Sequence, residues 1–144
     1  MRIVIVGAGN VGTQLAKYLI QEKHDVSIIE PNEERARHAS NRIDCLVIHD
    51  EGNNPNALEE AGIAKADALV CVTDSDELNM IICGLAASRY GGNKSGGLLK
   101  IAMVKNDDYA HLGHSDGKQM LGVDYFVHPN IEMAHSIIDR KSVV

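Results

Sequence analysis

Ile3-Val-Ile-Val-Gly7-Ala-Gly9-Asn-Val-Gly12 is the stretch that decides the fold. Four β-branched residues run without interruption into three glycines spaced as G-x-G-x-x-G, and a helix-forming segment follows at once. A glycine triplet alone is a weak signal, but between a strand and a helix it forms a dinucleotide-binding turn. Each glycine meets a separate demand: Gly7 makes the tight turn, Gly9 lets a pyrophosphate approach the backbone, and Gly12 lets the helix lie close to the sheet. The phosphates then rest on the free N–H groups and partial positive charge at the helix start, around Asn10 and Val11.

Working outward, the same alternation of strand and helix repeats along the chain. Strands are expected at Ile3–Val6, Val26–Glu30, Cys45–Ile48, Ala68–Val72, Leu99–Val104 and Tyr125–Val127. Their apolar runs are nearly continuous, the pattern of strands buried on both faces. Helices are expected at about 11–22, 33–41, 55–61 and 77–89, with a further one beginning near Asn130. Asn54-Pro55 and Asp74-Ser-Asp-Glu77 carry helix-start signals, and Gly62 and Gly91-Gly92 mark helix ends. The fold class is therefore α/β: a Rossmann-like, doubly wound parallel sheet of about six strands with helices on both faces. The glycine-rich segment 91–97 reads as a flexible surface connection. No internal repeat is visible, and we expect residues 1–144 to form a single domain, which leaves open that it is one piece of a longer chain.

Composition narrows the function. The 144 residues are 44% hydrophobic but only 3% aromatic, with no Trp and one Phe, so Ile, Val, Leu and Ala must fill the core. Fourteen Lys plus Arg against 20 Asp plus Glu give a formal net charge of −6, which argues against nucleic acid or an anionic membrane as partner. No apolar run approaches the ~20 residues that span a bilayer, and the start lacks the features of a signal peptide, so we expect a cytoplasmic chain without direct membrane insertion. Cys45, Cys71 and Cys83 are far apart in sequence and in apolar surroundings, and read as reduced core residues.

Beyond the glycine turn, Glu30 closes the second strand where a carboxylate accepts from both adenosine ribose hydroxyls and repels a 2′-phosphate, favouring NAD(H) or an adenine nucleotide over NADP(H). Arg35 and Arg37 read as a solvated helix face. Asp50-Glu51-Gly52-Asn53 follows the third strand and borders the adenine side. Thr73-Asp-Ser-Asp76 follows the fourth and either borders the far half of a ligand or simply caps the next helix. Other constellations fail: Tyr90 and Lys94 have a dehydrogenase-like spacing broken by two glycines, and His111 and His114 have no third ligand nearby. No metal site and no catalytic residue can be read from the chain.

The residues together resemble the N-terminal nucleotide-binding domain of Trk-type potassium uptake regulators, the RCK, KTN or TrkA-N domain. The resemblance runs over nearly the whole length, through the glycine turn, Val26-Ser-Ile-Ile-Glu30, Asp50-Glu-Gly-Asn-Asn-Pro55, Leu58-Glu-Glu-Ala-Gly62 and above all Ala66-Asp-Ala-Leu-Val-Cys-Val-Thr-Asp-Ser-Asp-Glu-Leu-Asn-Met80. In the last stretch Thr73, Asp76, Glu77 and Asn79 hold the characteristic positions. The resemblance implies a regulatory protein rather than an enzyme. It would bind NAD(H), or ATP/ADP, and form a homo-oligomer, a dimer or larger ring, peripheral to the inner face of the cell membrane through an integral membrane potassium channel or transporter subunit. It assigns Gly7, Gly9, Asn10 and Gly12 to the phosphates, Glu30 to the ribose, Glu51 and Gly52 to the adenine side, and Thr73 to the far end of the ligand. One departure stands out: Ala102-Met103-Val104 replaces the family's usual Ala-Arg-Val, removing a cation that could meet a phosphate.

A small NAD-dependent oxidoreductase is the competing reading, and a Rossmann scaffold that binds nothing is a third. Hydride transfer needs a substrate-binding surface, usually a further domain, and we expect none within residues 1–144. The apolar positions Ile131, Met133, Ala134, Ile137 and Ile138 fit either packing on the sheet or self-association, and the resemblance favours self-association.

Overall fold

The computed structural model describes residues 1–90, 97–112, 120–129 and 131–142. Strand β1 (Arg2–Val6) leads to helix α1 (Asn10–Gln21), then β2 (Asp25–Ile29), α2 (Glu33–Arg42), β3 (Leu46–Ile48) and α3 (Pro55–Glu60). A short 3-10 turn, Ile63–Lys65, precedes β4 (Ala68–Cys71), α4 (Asp76–Tyr90), β5 (Leu99–Met103), α5 (Asp107–Leu112), β6 (Tyr125–Val127) and α6 (Ile131–Ser142). All six strands are parallel and lie in the order β3-β2-β1-β4-β5-β6, the doubly wound arrangement.

The strand runs are continuous because both faces are covered. Ile3 and Ile5 point to one layer with Leu15, Ala16, Leu19, Ala39 and Ile138, whereas Val4 and Val6 point to the other with Leu58, Leu69, Ile82 and Ala86. Helices α1, α2 and α6 thus cover one face, and α3, α4 and α5 the other.

Local signals set the boundaries. Asn54 Oδ1 accepts from the Asn56 N–H ahead of Pro55, and Gly62 takes a left-handed φ of 89° where α3 ends. Helix α5 was not anticipated. Its sequence, Asp107-Asp-Tyr-Ala-His-Leu112, has no apolar period, and it starts because Asn106 Oδ1 accepts from the Asp108 N–H at 2.9 Å.

Helix α6 corrects the expectation of a partner-facing stripe. Ala134, Ile137 and Ile138 are buried in the layer that holds α1, and Tyr18 of α1 stacks on His135 with ring centroids 3.6 Å apart. Ala134, Ile137 and Ile138 thus pack on this chain's own sheet; the side chains of Ile131 and Met133 lie outside the described residues. So do the 91–96 part of the glycine-rich connection, the helix end at Gly91-Gly92, Lys94 and His114.

Candidate functional site

Strands β1 and β4 are neighbours, but the chain leaves them toward opposite faces of the sheet, so a crevice opens beyond their C-terminal ends. The glycine turn forms its floor. Gly7 has φ +113°, and a Cβ there would stand 2.9 Å from the Val72 carbonyl oxygen. A Cβ on Gly12 would lie 1.9 Å from the Gly7 carbonyl oxygen, so the first turn of α1 fits only without a side chain. Gly9 differs from both: a Cβ there meets nothing within 4 Å. Its missing side chain leaves room on the crevice side, as the approach of a phosphate requires. Helix α1 starts at that point with no side-chain cap and no acid in its first turn. Its first N–H groups therefore face the crevice without an intrahelical partner.

Glu30 is 96% shielded from solvent, with 4% exposure. One carboxylate oxygen accepts from the Ala8 N–H at 2.7 Å and the other from the Asn32 N–H at 2.9 Å, which ties the glycine turn to the start of α2. Each oxygen keeps a second lone pair, so ribose hydroxyls can still be received. On the adenine side, Asp50 shapes the loop by accepting from the Glu51 N–H at 2.7 Å and from Asn54 Nδ2 at 3.1 Å. Gly52 is pressed onto β1 and α4: a Cβ would stand 2.3 Å from Val6 Cγ1 and 3.0 Å from Ile82 Cδ1.

These pieces enclose two adjoining cavities. The smaller, about 150 Å³, brings together Gly7, Gly9, Glu30, Glu51, Gly52 and Thr73. The larger, about 590 Å³, continues past Gly9, Asn10 and Val11 to Met103 and Lys105 at the end of β5. Gly12 lines neither cavity and acts through packing, and of the two bordering loops Asp50, Asn53, Ser75 and Asp76 also stay outside the lining. Thr73 lies in the smaller cavity with Glu30. The far cavity is reached instead by Val72 and Asp74, which flank it in sequence.

Two cations line the site, Arg35, which reads from sequence as part of a solvated helix face, and Lys105, to which the sequence gives no role. Arg35 lines both cavities and pairs with Asp74 across the crevice, Nη1 to Oδ2 3.7 Å, so it is not a plain solvated residue. Lys105 lines the far cavity, two positions after Met103, and restores a positive charge near the place where the arginine is replaced. Neither was legible because each depends on elements that meet only in the fold.

The β4–α4 loop is held from within. Asn79, fully buried, accepts at Oδ1 from the Thr73 N–H (2.9 Å) and hydroxyl (2.6 Å), and donates from Nδ2 to the carbonyls of Met103 (2.8 Å) and Thr73 (3.2 Å). Ser75 Oγ caps α4 by accepting from the Leu78 N–H at 3.1 Å. Asp76 accepts from the N–H groups of Lys105 and Asn106, both at 2.9 Å. Thr73, Asp76 and Asn79 thus share a supporting job: they fix the walls of the crevice.

The cysteines are buried to different degrees. Cys71 and Cys83, separate in sequence, bring their sulfurs to 3.8 Å in the core, and burial together with the Cys83 thiol pushes Cys71 well above the ordinary thiol range. Burial, aided by Asp44, raises half-buried Cys45 to about 11. Cys45 and Cys71 are thus pushed away from the low pKa of a nucleophile. Among the described residues no group of three or more side chains could hold a metal ion, and His111 Nδ1 instead bonds the Asp107 carbonyl at 2.6 Å.

The family description "TrkA-N domain" matches residues 3–129. The chain belongs to the TrkA-N domain family. A relative, the Trk system potassium uptake protein TrkA of Vibrio alginolyticus, is 33% identical over 141 residues, 97% of this chain and 30% of that protein. A homologue of that protein from Methanothermobacter thermautotrophicus is 36% identical over 129 residues, 90% of this chain and 55% of its own length. The chain therefore spans about a third to about half of these relatives. Among solved structures, the GsuK channel bound to NAD superposes with a TM-score of 0.69 at 20% identity, covering 88% of this chain and 21% of that one. The same fold recurs in the GsuK channel bound to ADP and in the Shewanella denitrificans Kef C-terminal domain in its AMP-bound form.

Proposed function

We propose that residues 1–144 form the nucleotide-binding regulatory unit of a Trk/Ktr-type potassium uptake system, binding NAD(H) or an adenine nucleotide and acting without a catalytic step of its own. The observation that carries this reading is the uncapped start of α1 at Gly9, opening onto the cavity that also holds buried Glu30. An anion finds N–H donors there and a ribose finds a carboxylate. Family membership and the names of the relatives support the potassium system, and the NAD, ADP and AMP complexes of fold neighbours support a nucleotide ligand.

In this reading the chain works at the cytoplasmic face of the membrane as part of a homo-oligomer attached to an integral membrane potassium channel or transporter. Among the described residues no helix is long and apolar enough to cross a membrane. Control of transport requires only that the nucleotide bind two assembly states with different affinity.

Calorimetric titration with NAD, NADH, NADPH, ADP and ATP tests the reading. Micromolar binding of NAD(H) or an adenine nucleotide is expected, with NADPH weaker because Glu30 repels a 2′-phosphate. Gly9→Ala should weaken binding about tenfold or more while leaving the melting temperature within about 1 °C, since the added Cβ meets only open space. Absence of binding by every nucleotide, or NADH oxidation with small carbonyl compounds well above background, would overturn it.

A further inference from the structure

We propose that Arg35 is a phosphate-binding residue held by Asp74 until a nucleotide enters, so that the ion pair across the crevice exchanges for an arginine–phosphate contact. This rests on the nucleotide reading above and adds a specificity-determining pair to it.

Arg35 stands in the first turn of α2 and Asp74 in the β4–α4 loop, on opposite walls. Both line the small cavity that contains Glu30, and both also line the large one that runs past the start of α1. Gly9 is shared in the same way. The Arg35–Asp74 contact thus crosses the crevice beside the point where a phosphate would rest on α1.

The pair is built to be exchanged. Its closest approach is a single 3.7 Å contact, and the two side chains are 52% and 83% exposed, so water and salt screen it. A guanidinium offers five donors in a planar fork, and phosphate oxygens match that fork better than one carboxylate oxygen at this distance. The backbone of Arg35 is already fixed, because its N–H donates to Asn32 Oδ1 at 2.9 Å, and Asn32 is tied by its own N–H to Glu30. Only the side chain must move. Glu34 and Asp74 line the far cavity against the cation Lys105, so a phosphate there meets more acid than base unless Arg35 turns from Asp74 toward it.

The arrangement predicts opposite signs for the two partners. Removing Arg35 removes a phosphate ligand, whereas neutralising Asp74 frees the arginine and lessens the repulsion of the incoming anion. A pair that merely braced the two walls would give losses from both.

Titration of the wild type, Arg35→Gln and Asp74→Asn with ADP and with adenosine decides the matter, with melting temperatures recorded beside each. Both positions are exposed at the rim, so the variants should fold normally. Arg35→Gln should weaken ADP about tenfold, leave adenosine within about twofold, and flatten the dependence of ADP binding on salt. Asp74→Asn should strengthen ADP by about threefold. Unchanged ADP binding in Arg35→Gln, equal losses for ADP and adenosine, or weaker or unchanged ADP binding in Asp74→Asn would each overturn the exchange. A wild type that binds ADP while the variants behave so leaves the nucleotide reading intact; a wild type that binds no nucleotide defeats both.

Discussion

Helices α1 and α4 begin side by side, each just beyond one of the two central strands, and they treat their free N–H groups in opposite ways. At α1 the capping position is Gly9, with no side-chain cap and no acid in the first turn. At α4, Ser75 caps the Leu78 N–H, Asp76 and Glu77 bring negative charge, and Asn79 pins the preceding loop. The backbone polarity is the same at both. One helix start is satisfied by the chain's own side chains and the other is not, as the proposed binding of an anion there requires. The part of the Ala66–Met80 stretch from Thr73 to Asn79 is then the frame of the crevice, while the glycine turn is its proposed binding surface.

The sharpest way to break this comparison is to remove the frame. Asn79→Ala takes away four hydrogen bonds, leaving the Met103 carbonyl without this donor in a buried setting and the half-buried Thr73 N–H without its acceptor, while the Thr73 hydroxyl keeps the Ser75 carbonyl. A loss of about 3 kcal/mol is expected, read by urea denaturation, with nucleotide binding weakened as a consequence. If stability falls by less than about 1 kcal/mol while binding disappears, Asn79 is a ligand contact and the division between frame and binding surface is wrong.

Gly12→Ala comes next. Its Cβ would lie 1.9 Å from the Gly7 carbonyl oxygen, a backbone atom that cannot swing aside. Displacing the first turn of α1 should cost about 2 kcal/mol and disturb the crevice as well, in contrast to Gly9→Ala, where stability holds and only binding suffers. Two glycines three residues apart then separate into one that serves packing and one that serves the ligand. Similar melting temperatures for the two variants would erase that separation.

These assignments show how much the sequence could convey. The strands were legible because burial on both faces writes itself as uninterrupted apolar runs, and boundaries shifted by only a residue or so. Gly12 was legible because its constraint comes from Gly7, a near neighbour in the chain, and Gly7 because the tight turn itself demands a φ of +113°, although the wall it would strike is the distant Val72 carbonyl. Residues whose role depends on distant partners were not. Arg35 looks like any surface arginine until α2 and the β4–α4 loop are brought together by the sheet order. Gly52 meets Val6 and Ile82, and Cys71 meets Cys83, for the same reason. Helix α6 was ambiguous because an amphipathic pattern reports that one face is covered, not what covers it. Helix α5 gave no apolar period, and only the Asn106-Asp-Asp cap signalled it.

The smallest expected effect is also the cleanest control. Ser75→Ala removes the hydroxyl that accepts from the Leu78 N–H, and an N-cap of this kind contributes about 1 kcal/mol. Nothing else about the crevice should change, because Thr73 is held by Asn79 and Asp76 still accepts from the N–H groups of Lys105 and Asn106. The melting temperature should therefore drop by about 3–5 °C while nucleotide affinity stays within about twofold. Had α4 been a second anion site, removing its cap would expose an N–H group to the ligand and strengthen phosphate binding. An affinity gain for ADP but not for adenosine in Ser75→Ala would show that the helix starts are alike after all, and that occupation by the chain's own side chain is what keeps α4 out of the reaction with nucleotide.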